Sequence, residues 1–206
     1  MSYHSQFGQD KYVFEQVLDK KENGIFVDIG ASDPIHQNNT IFFENIGWHG
    51  IVIEPIKQDF ENLKKTRSCI CENVAVSNKD EIRKFIEVTG YAKGLSGLLE
   101  SYDFRHLVRL VTELQHHGGT ANIVDVSCVS LNSLLKKHNF FNVDYMSLDI
   151  EGKELDVLQD IDFDTIKIKC LSVENNYNKN DINEFLSSKG YKRLTKLVID
   201  EIYYKP

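Results

Sequence analysis

The sequence predicts a single α/β domain: a mostly parallel, doubly wound sheet with a terminal antiparallel hairpin. Three observations carry that expectation. Short β-branched runs alternate with stretches of helical spacing along the chain. The runs themselves, such as Ile25-Phe26-Val27-Asp28-Ile29, are too apolar for a half-exposed strand and suit a sheet covered on both faces. The last two runs, Tyr191 to Leu194 and Ile199 to Tyr204, are joined by too short a link to lie parallel.

In chain order, Phe14, Val17 and Leu18 share a face at i, i+3 and i+4 and predict a helix over Gln9 to Lys20. Asn23-Gly24 stops it. The first strand, Ile25 to Ile29, leads through a polar loop to a helix near Thr40 to Phe43. Gly50 to Glu54 forms the second strand, closed by Pro55 and followed by a helix through Phe60 and Leu63. Ile70 to Val76 reads as one third strand, Val143 to Leu148 as the fourth and Ile168 to Val173 as the fifth. Helices are expected at Leu131 to Leu135, Lys153 to Gln159 and Ile182 to Leu186, the last ended by Gly190. Thr89 to Ile123 breaks the alternation, with five glycines and one helical piece near Phe104 to Leu114. An insert of that length reads as an ordered cap over a substrate site.

The chain has 206 residues, which suits one domain spanning 1–206 with the 89–123 insert. A net charge of −7 argues against nucleic acid as the main partner, which needs a basic face. No run approaches the ~20 apolar residues of a membrane span. The start, Met1 to Gln6, lacks a basic and apolar signal pattern, so the expectation is a cytoplasmic protein or a piece of one. Cys69-Ile70-Cys71 has the wrong spacing for a zinc knuckle. With Cys128 and Cys170 these thiols read as small buried hydrophobes.

Three clusters carry chemistry. Asp28-Ile29-Gly30-Ala31-Ser32 follows the first strand, where a glycine lets the backbone turn tightly and approach a ligand. Ser32 stands at the second glycine of the dinucleotide fingerprint, which disfavours a pyrophosphate and favours a nucleoside ligand without phosphates. Glu54 ends the second strand about twenty residues on, either as acceptor for two ribose hydroxyls or as an acid at the start of a helix. Asp149-Ile150-Glu151-Gly152 and Glu174-Asn175-Asn176 end the fourth and fifth strands. They gather acids that need a positive partner, or else cap the helices after them.

The chain resembles the FkbM family of methyltransferases, in the subgroup that opens on Ser-Gln-x-Gly-Gln-Asp, here Ser5-Gln6-Phe7-Gly8-Gln9-Asp10. Matching pieces follow in family order: Phe26 to Ala31, Asn39-Thr40 with Phe42-Phe43-Glu44, and Gly47-Trp48 through Gly50 to Ile53-Glu54-Pro55. Beyond them come Asn73 to Ser77, Asp149-x-Glu151-Gly152 with Glu154-Leu155, and Val173 to Tyr177. Pro34 departs from the family, which usually has glycine there, and removes an N–H from the loop.

The resemblance implies a Rossmann-like class I methyltransferase fold and S-adenosyl-L-methionine as methyl donor. It places Asp28, Gly30, Ala31 and Ser32 on the methionine part, Glu54 with Pro55 on the ribose, and Asn73 and Val74 beside the adenine. Asp149 would face the cofactor amine, Asn39 and Thr40 the carboxylate at a positive helix end, and Gln6 and Asp10 would fold over the site. It also implies O-methylation of a sugar, glycan or small-molecule acceptor, with glycosyltransferases as fused domains or working partners.

Asp149, Glu174 and Asn175 are expected to hold a Mg²⁺ on oxygen ligands. Among His36, His106, His116 and His117, His106 is the expected catalytic base beside Asp149 and Glu174. A nicotinamide-dependent oxidoreductase and a non-catalytic cofactor-binding module are the rival readings of the same topology.

Overall fold

The computed structural model describes residues 2–206. Its main sheet is assembled from β1 (Ile25–Ile29), β2 (His49–Ile53), β3 (Ile70–Glu72), β8 (Asn142–Leu148), β9 (Lys167–Glu174), β10 (Lys192–Leu197) and β11 (Asp200–Tyr204). Their order is β10-β11-β9-β8-β1-β2-β3, parallel except where β11 runs against both its neighbours. The fold class and the closing hairpin are therefore as the sequence predicts.

Alternation along the strands divides the core. Val27, Ile29, Met146, Leu148 and Val173 meet α5 (Leu131–Lys137), α6 (Glu154–Asp160) and α7 (Asp181–Ser188) on one face. Phe26, Val52, Tyr145 and Cys170 meet Phe42, Phe43, Trp48 and Leu63 on the other. Those partners come from α2 (Ile41–Asn45), α3 (Lys57–Thr66) and the loop before β2.

Register aligns the functional ends. Ile29 pairs with Ile53 on one side and Leu148 on the other, Leu148 pairs with Val173, and Glu174 pairs with Asp200. The residues that follow, Gly30, Glu54 and Asp149, thus stand in one row with Glu174 and Asp200. The chain leaves β1 toward β2 on one side and later returns to its other side as β8. Ligands of open α/β sheets bind at such a reversal.

Three expectations are corrected. The first helix is α-helical only in α1 (Gln9–Tyr12). It then widens into a π-turn over Val13–Val17, closed by the Leu18 amide donating to the Val13 carbonyl at 2.9 Å. The third strand is two strands. β3 belongs to the main sheet, and β4 (Ala75–Ser77) opens a second sheet. At the break, the Asn73 side-chain amide donates to the carbonyls of Glu54 and Pro55 at 2.9 and 3.0 Å.

The second sheet, β4-β7-β5-β6, also lies outside the expectation. β5 (Glu81–Val88) and β7 (Ala121–Ser130) pair antiparallel from Glu81 opposite Cys128 to Val88 opposite Ala121, with β6 (Gly97–Leu98) on the edge. The predicted insert is the far end of this pair, and α4 (Phe104–His117) runs across it. Asp103 caps α4 by accepting from the Arg105 and His106 amides at 2.9 and 3.0 Å. All four cysteines are free thiols, Cys128 and Cys170 buried and Cys69 and Cys71 half-buried. Among the described residues, no helix is long and apolar enough to cross a membrane.

One buried cation braces the loop after β1. The Arg67 guanidinium donates to Glu44 at 2.6 Å and to the Asn38 and Thr40 oxygens at 3.1 Å each, with its side chain fully buried. Thr40 in turn donates to the buried Asp28 at 2.7 Å. Removing one partner of a buried pair strands the other charge. Arg67→Ala is expected to cost about 3–5 kcal/mol in urea unfolding at pH 7; a loss under about 1 kcal/mol contradicts the bracing role.

Candidate active site

A cleft of about 770 Å³ lies across the strand tips, bounded by the loop after β1, the end of β2, the loops after β8 and β9, and the insert. That volume is in the range of small-molecule and cofactor sites.

Gly30 governs its floor. Its φ is +85°, and a Cβ there would lie 1.8 Å from the Asp149 carbonyl oxygen. The Asp149 amide donates to the Ile29 carbonyl at 3.0 Å. The glycine therefore serves the approach of two strand ends as well as that of a ligand. Ser32 and Glu151, both lining the cleft, hold positive φ of 47° and 58° without being glycine. Such backbone strain persists only where surrounding bonds impose it. For Ser32 the bond is its amide to Glu54 at 2.9 Å. For the Glu151 loop it is Glu154, which accepts from the Ile150 and Gly152 amides at 3.2 and 2.9 Å.

Glu54 combines its two sequence readings. One carboxyl oxygen accepts from Ser32, the other from the Ile56 amide at 2.8 Å just before α3, and the side chain lines the cleft. Burial pushes its pKa up to about 7. Asp28, Gly30, Ala31, Ser32, Asn39, Pro55, Val74 and Gln6 also line the cleft. The Asn39 amide donates to Ser147 at 2.9 Å, and its carbonyl oxygen is buried with no partner. That orphaned acceptor is chemically suited to a cationic amine.

Other expected residues lie elsewhere. Thr40 does not line the cleft. It joins Asp28 to Arg67, and α2 behind it is barely one turn whose first amides are taken by the Asn38 side chain at 3.0 and 2.9 Å. Two amides at the helix end expected at Asn39-Thr40, those of Thr40 and Ile41, are therefore already taken from within. Asp10 holds the N-terminal strap, accepting from the His4 amide and the Ser5 hydroxyl at 2.6 and 2.5 Å, while Gln6 and Phe7 of that strap reach the cleft. Asn73 does not line the cleft and spends its amide on the Glu54–Pro55 turn.

Across the floor stand the acids. Ligand oxygens of Asp149, Glu151 and Glu174 lie within 4.8 Å of one another. Burial pushes Asp149 up to about 7, with the negative charges of Asp200 and Glu154 adding to it. Glu151 and Glu174 are driven well above the usual carboxylate range, first by burial and then by Asp149. Asp200, beside them, rises to about 6 through burial.

Asn175 is not one of this set. Its side-chain oxygen accepts from the Lys179 amide at 2.9 Å, and its amide donates to the Lys179 carbonyl at 2.7 Å and to Glu201 at 3.2 Å. Glu151 takes the place expected for it. His106 is corrected too: it is 1% exposed and outside the cleft lining, its Nε2 3.4 Å from the Leu95 carbonyl and its Nδ1 3.8 Å from Glu151. Burial lowers its proton affinity. It packs behind Glu151 and does not line the cleft.

The sequence reading missed Asn38, Arg67, and the apolar wall that Phe85 and Leu98 add beside Val74 and Ile56. Their one signal was charge or polarity at a helix end (Asn38, Arg67) or alternation in the unrecognised β5 (Phe85).

The model of the methyltransferase FkbM domain matches residues 28–193, most of the chain. The chain belongs to the FkbM methyltransferase family. That membership speaks against the nicotinamide reading, since the family is one of methyltransferases. No curated protein matches the FkbM chain. Among solved structures it is similar to the METTL16 MTase domain, at 14% identity and TM-score 0.46 over 95% of this chain. It is also similar to a human methyltransferase 10 domain containing protein, at 13% identity and TM-score 0.44 over 96% of this chain and 78% of that one. The chain spans 65% of the length of the METTL16 domain.

Two predictions follow from this geometry. Gly30→Ala forces both a disfavoured backbone and a clash with the Asp149 carbonyl, and is expected to lose at least about 3 kcal/mol in denaturant unfolding. Carboxyls whose folded pKa is raised bind more protons folded than unfolded, so stability is highest in acid and falls as pH rises from about 4 to about 7. A ligand-free thermal midpoint that falls across that window, and falls less in Glu174→Gln, is the expected result; a midpoint that rises contradicts the crowding.

Proposed function

We propose that this chain is an S-adenosylmethionine-dependent O-methyltransferase acting on a hydroxyl of a sugar or other polyol, with a divalent cation such as Mg²⁺ on Asp149, Glu151 and Glu174. The observation that carries the reading is the convergence of those three carboxylates beside the Gly30 bend. S-adenosylmethionine supplies a sulfonium methyl group, and an in-line acceptor oxygen receives it.

The chain's own residues then divide the work. Glu54 accepts from the ribose hydroxyls with the lone pairs left beside its bonds to Ser32 and Ile56. Asn39 accepts from the amine through its unpartnered oxygen. Val74, Ile56, Phe85 and Leu98 give the adenine an apolar wall. The three carboxylates offer hard oxygen donors of the kind Mg²⁺ takes. Such an ion lowers the pKa of a hydroxyl it binds. With Asp149 serving as an ion ligand, the acceptor hydroxyl would lose its proton to solvent from the ion-bound state.

The open, polar lining with Gln6 and Asn176 favours a hydroxyl-rich acceptor. The insert carrying α4 covers that side as a substrate cap. A glycosyl-transferring enzyme is the class that supplies such an acceptor, and the cytoplasm is the compartment where free thiols of this kind persist.

Two measurements test this. Glu54→Gln is expected to weaken S-adenosylhomocysteine binding about tenfold or more in calorimetry, through loss of a charged hydrogen-bond acceptor. Turnover on a polyol panel is expected to stop with chelator, return with Mg²⁺, and fail in Glu174→Gln. Chelator-insensitive turnover overturns the cation. Tight S-adenosylhomocysteine binding with no turnover on any hydroxyl acceptor supports a non-catalytic module instead.

A further inference from the structure

We propose that Arg109 sets acceptor specificity by binding an anionic group, a carboxylate or a phosphate ester, carried by the hydroxylated acceptor. The inference rests on the reading that the cleft takes S-adenosylmethionine and a hydroxyl acceptor.

Three basic side chains line the cleft, and two are already engaged. Lys93 is 2.6 Å from Asp59, and Lys153 is 2.8 Å from Asp156. Arg109, on the cleft side of α4, makes no hydrogen bond or ion pair among the described residues. One turn earlier, Arg105 is held by Asp103 at 2.6 Å and lies over the Tyr177 ring at 4.1 Å. The two arginines of α4 thus differ in kind: Arg105 is held by Asp103, and Arg109, exposed at the lining of the cleft, keeps its donors without a protein partner among the described residues.

Neighbouring acids do not consume them. Glu113, one turn along, is 3.5 Å from His117. Glu151 lies near enough for Arg109 to favour its charged form, yet its carboxylate accepts from the Asn176 amide at 3.2 Å and has no contact with the guanidinium. A second unmet donor stands in the same neighbourhood. The Tyr177 hydroxyl is buried without a partner and feels the charges of Arg109 and Glu151. A planar guanidinium matches the two oxygens of a carboxylate or phosphate. Across a cleft whose other wall is acidic, Arg109 is, among the described residues, the lining cation with no acidic partner within ion-pair distance. The acceptor is therefore amphoteric in its demands: its hydroxyl turns to Asp149, Glu151 and Glu174, and its anion turns to α4.

Calorimetry on the full chain tests this in two stages. S-adenosylhomocysteine is titrated first; failure to bind overturns the cofactor reading itself. The loaded protein is then titrated with glucuronate, glucose 6-phosphate and glucose, in the presence of Mg²⁺. Binding of glucuronate or of glucose 6-phosphate at least about tenfold tighter than glucose is expected, and whichever anion binds identifies the source. Arg109→Gln is expected to abolish that preference while S-adenosylhomocysteine binding stays intact, and Arg109→Lys to restore part of it. Glucose bound as well as both anions, no binding of either anion to the loaded protein, or a preference that survives in Arg109→Gln, overturns the inference alone.

Discussion

Carboxyl groups crowded at one edge of a sheet constrain everything else in this molecule. The register that ends β1, β2, β8 and β9 in one row also gathers the buried Glu54, Glu174 and Asp200 around the half-buried Asp149. Coulomb repulsion in a region of low dielectric is large at such separations, so the row cannot be fully ionised without a counter-charge. The fold answers it with two different devices. On the β2 side, backbone amides of Ser32 and Ile56 hold Glu54, and Arg67 compensates Asp28 through Thr40. On the β8 side no cation among the described residues is within ion-pair distance of Asp149 or Glu174, and burial and mutual repulsion raise their pKa values. The first half carries its own compensation, and the second half leaves its acids without a cationic partner among the described residues.

That asymmetry explains what the sequence revealed. The strands of the main sheet were legible because they are buried on both faces and read as continuous apolar runs. Their tips were legible because Gly30, Glu54, Asp149 and Glu174 follow those runs directly. Residues whose roles depend on long-range partners were not. Asn175 directly follows its strand and Glu151 stands three residues past its own, yet the turn to Lys179 takes the Asn175 side chain out of the acidic set. His106 reads as a base on an exposed helix, yet it falls on the inner face of α4 behind Glu151. Thr40 reads as a helix-end donor, yet Asn38 has taken the amides it would offer with.

The second sheet was hidden for a different reason. β5 carries Glu81, Arg83, Lys84 and Glu87 at positions of both parities, so charge breaks its period of two on both faces. β3 and β4 ran together because the break at Asn73 is made by a side chain bonding backwards to the Glu54–Pro55 turn, with no glycine or proline to mark it. The same bond keeps Val74 at the cleft while sending the following residues into the second sheet. One amide thus couples the cofactor side of the domain to the sheet that carries the insert.

A crystal structure of the chain soaked with S-adenosylhomocysteine examines the central claim directly. The account predicts ribose density within hydrogen-bonding distance of both Glu54 oxygens, the amine against the Asn39 carbonyl oxygen, and the sulfur turned toward Asp149. Clear density for the nucleoside anywhere else, or none between Gly30 and Glu54 at saturating ligand, contradicts it.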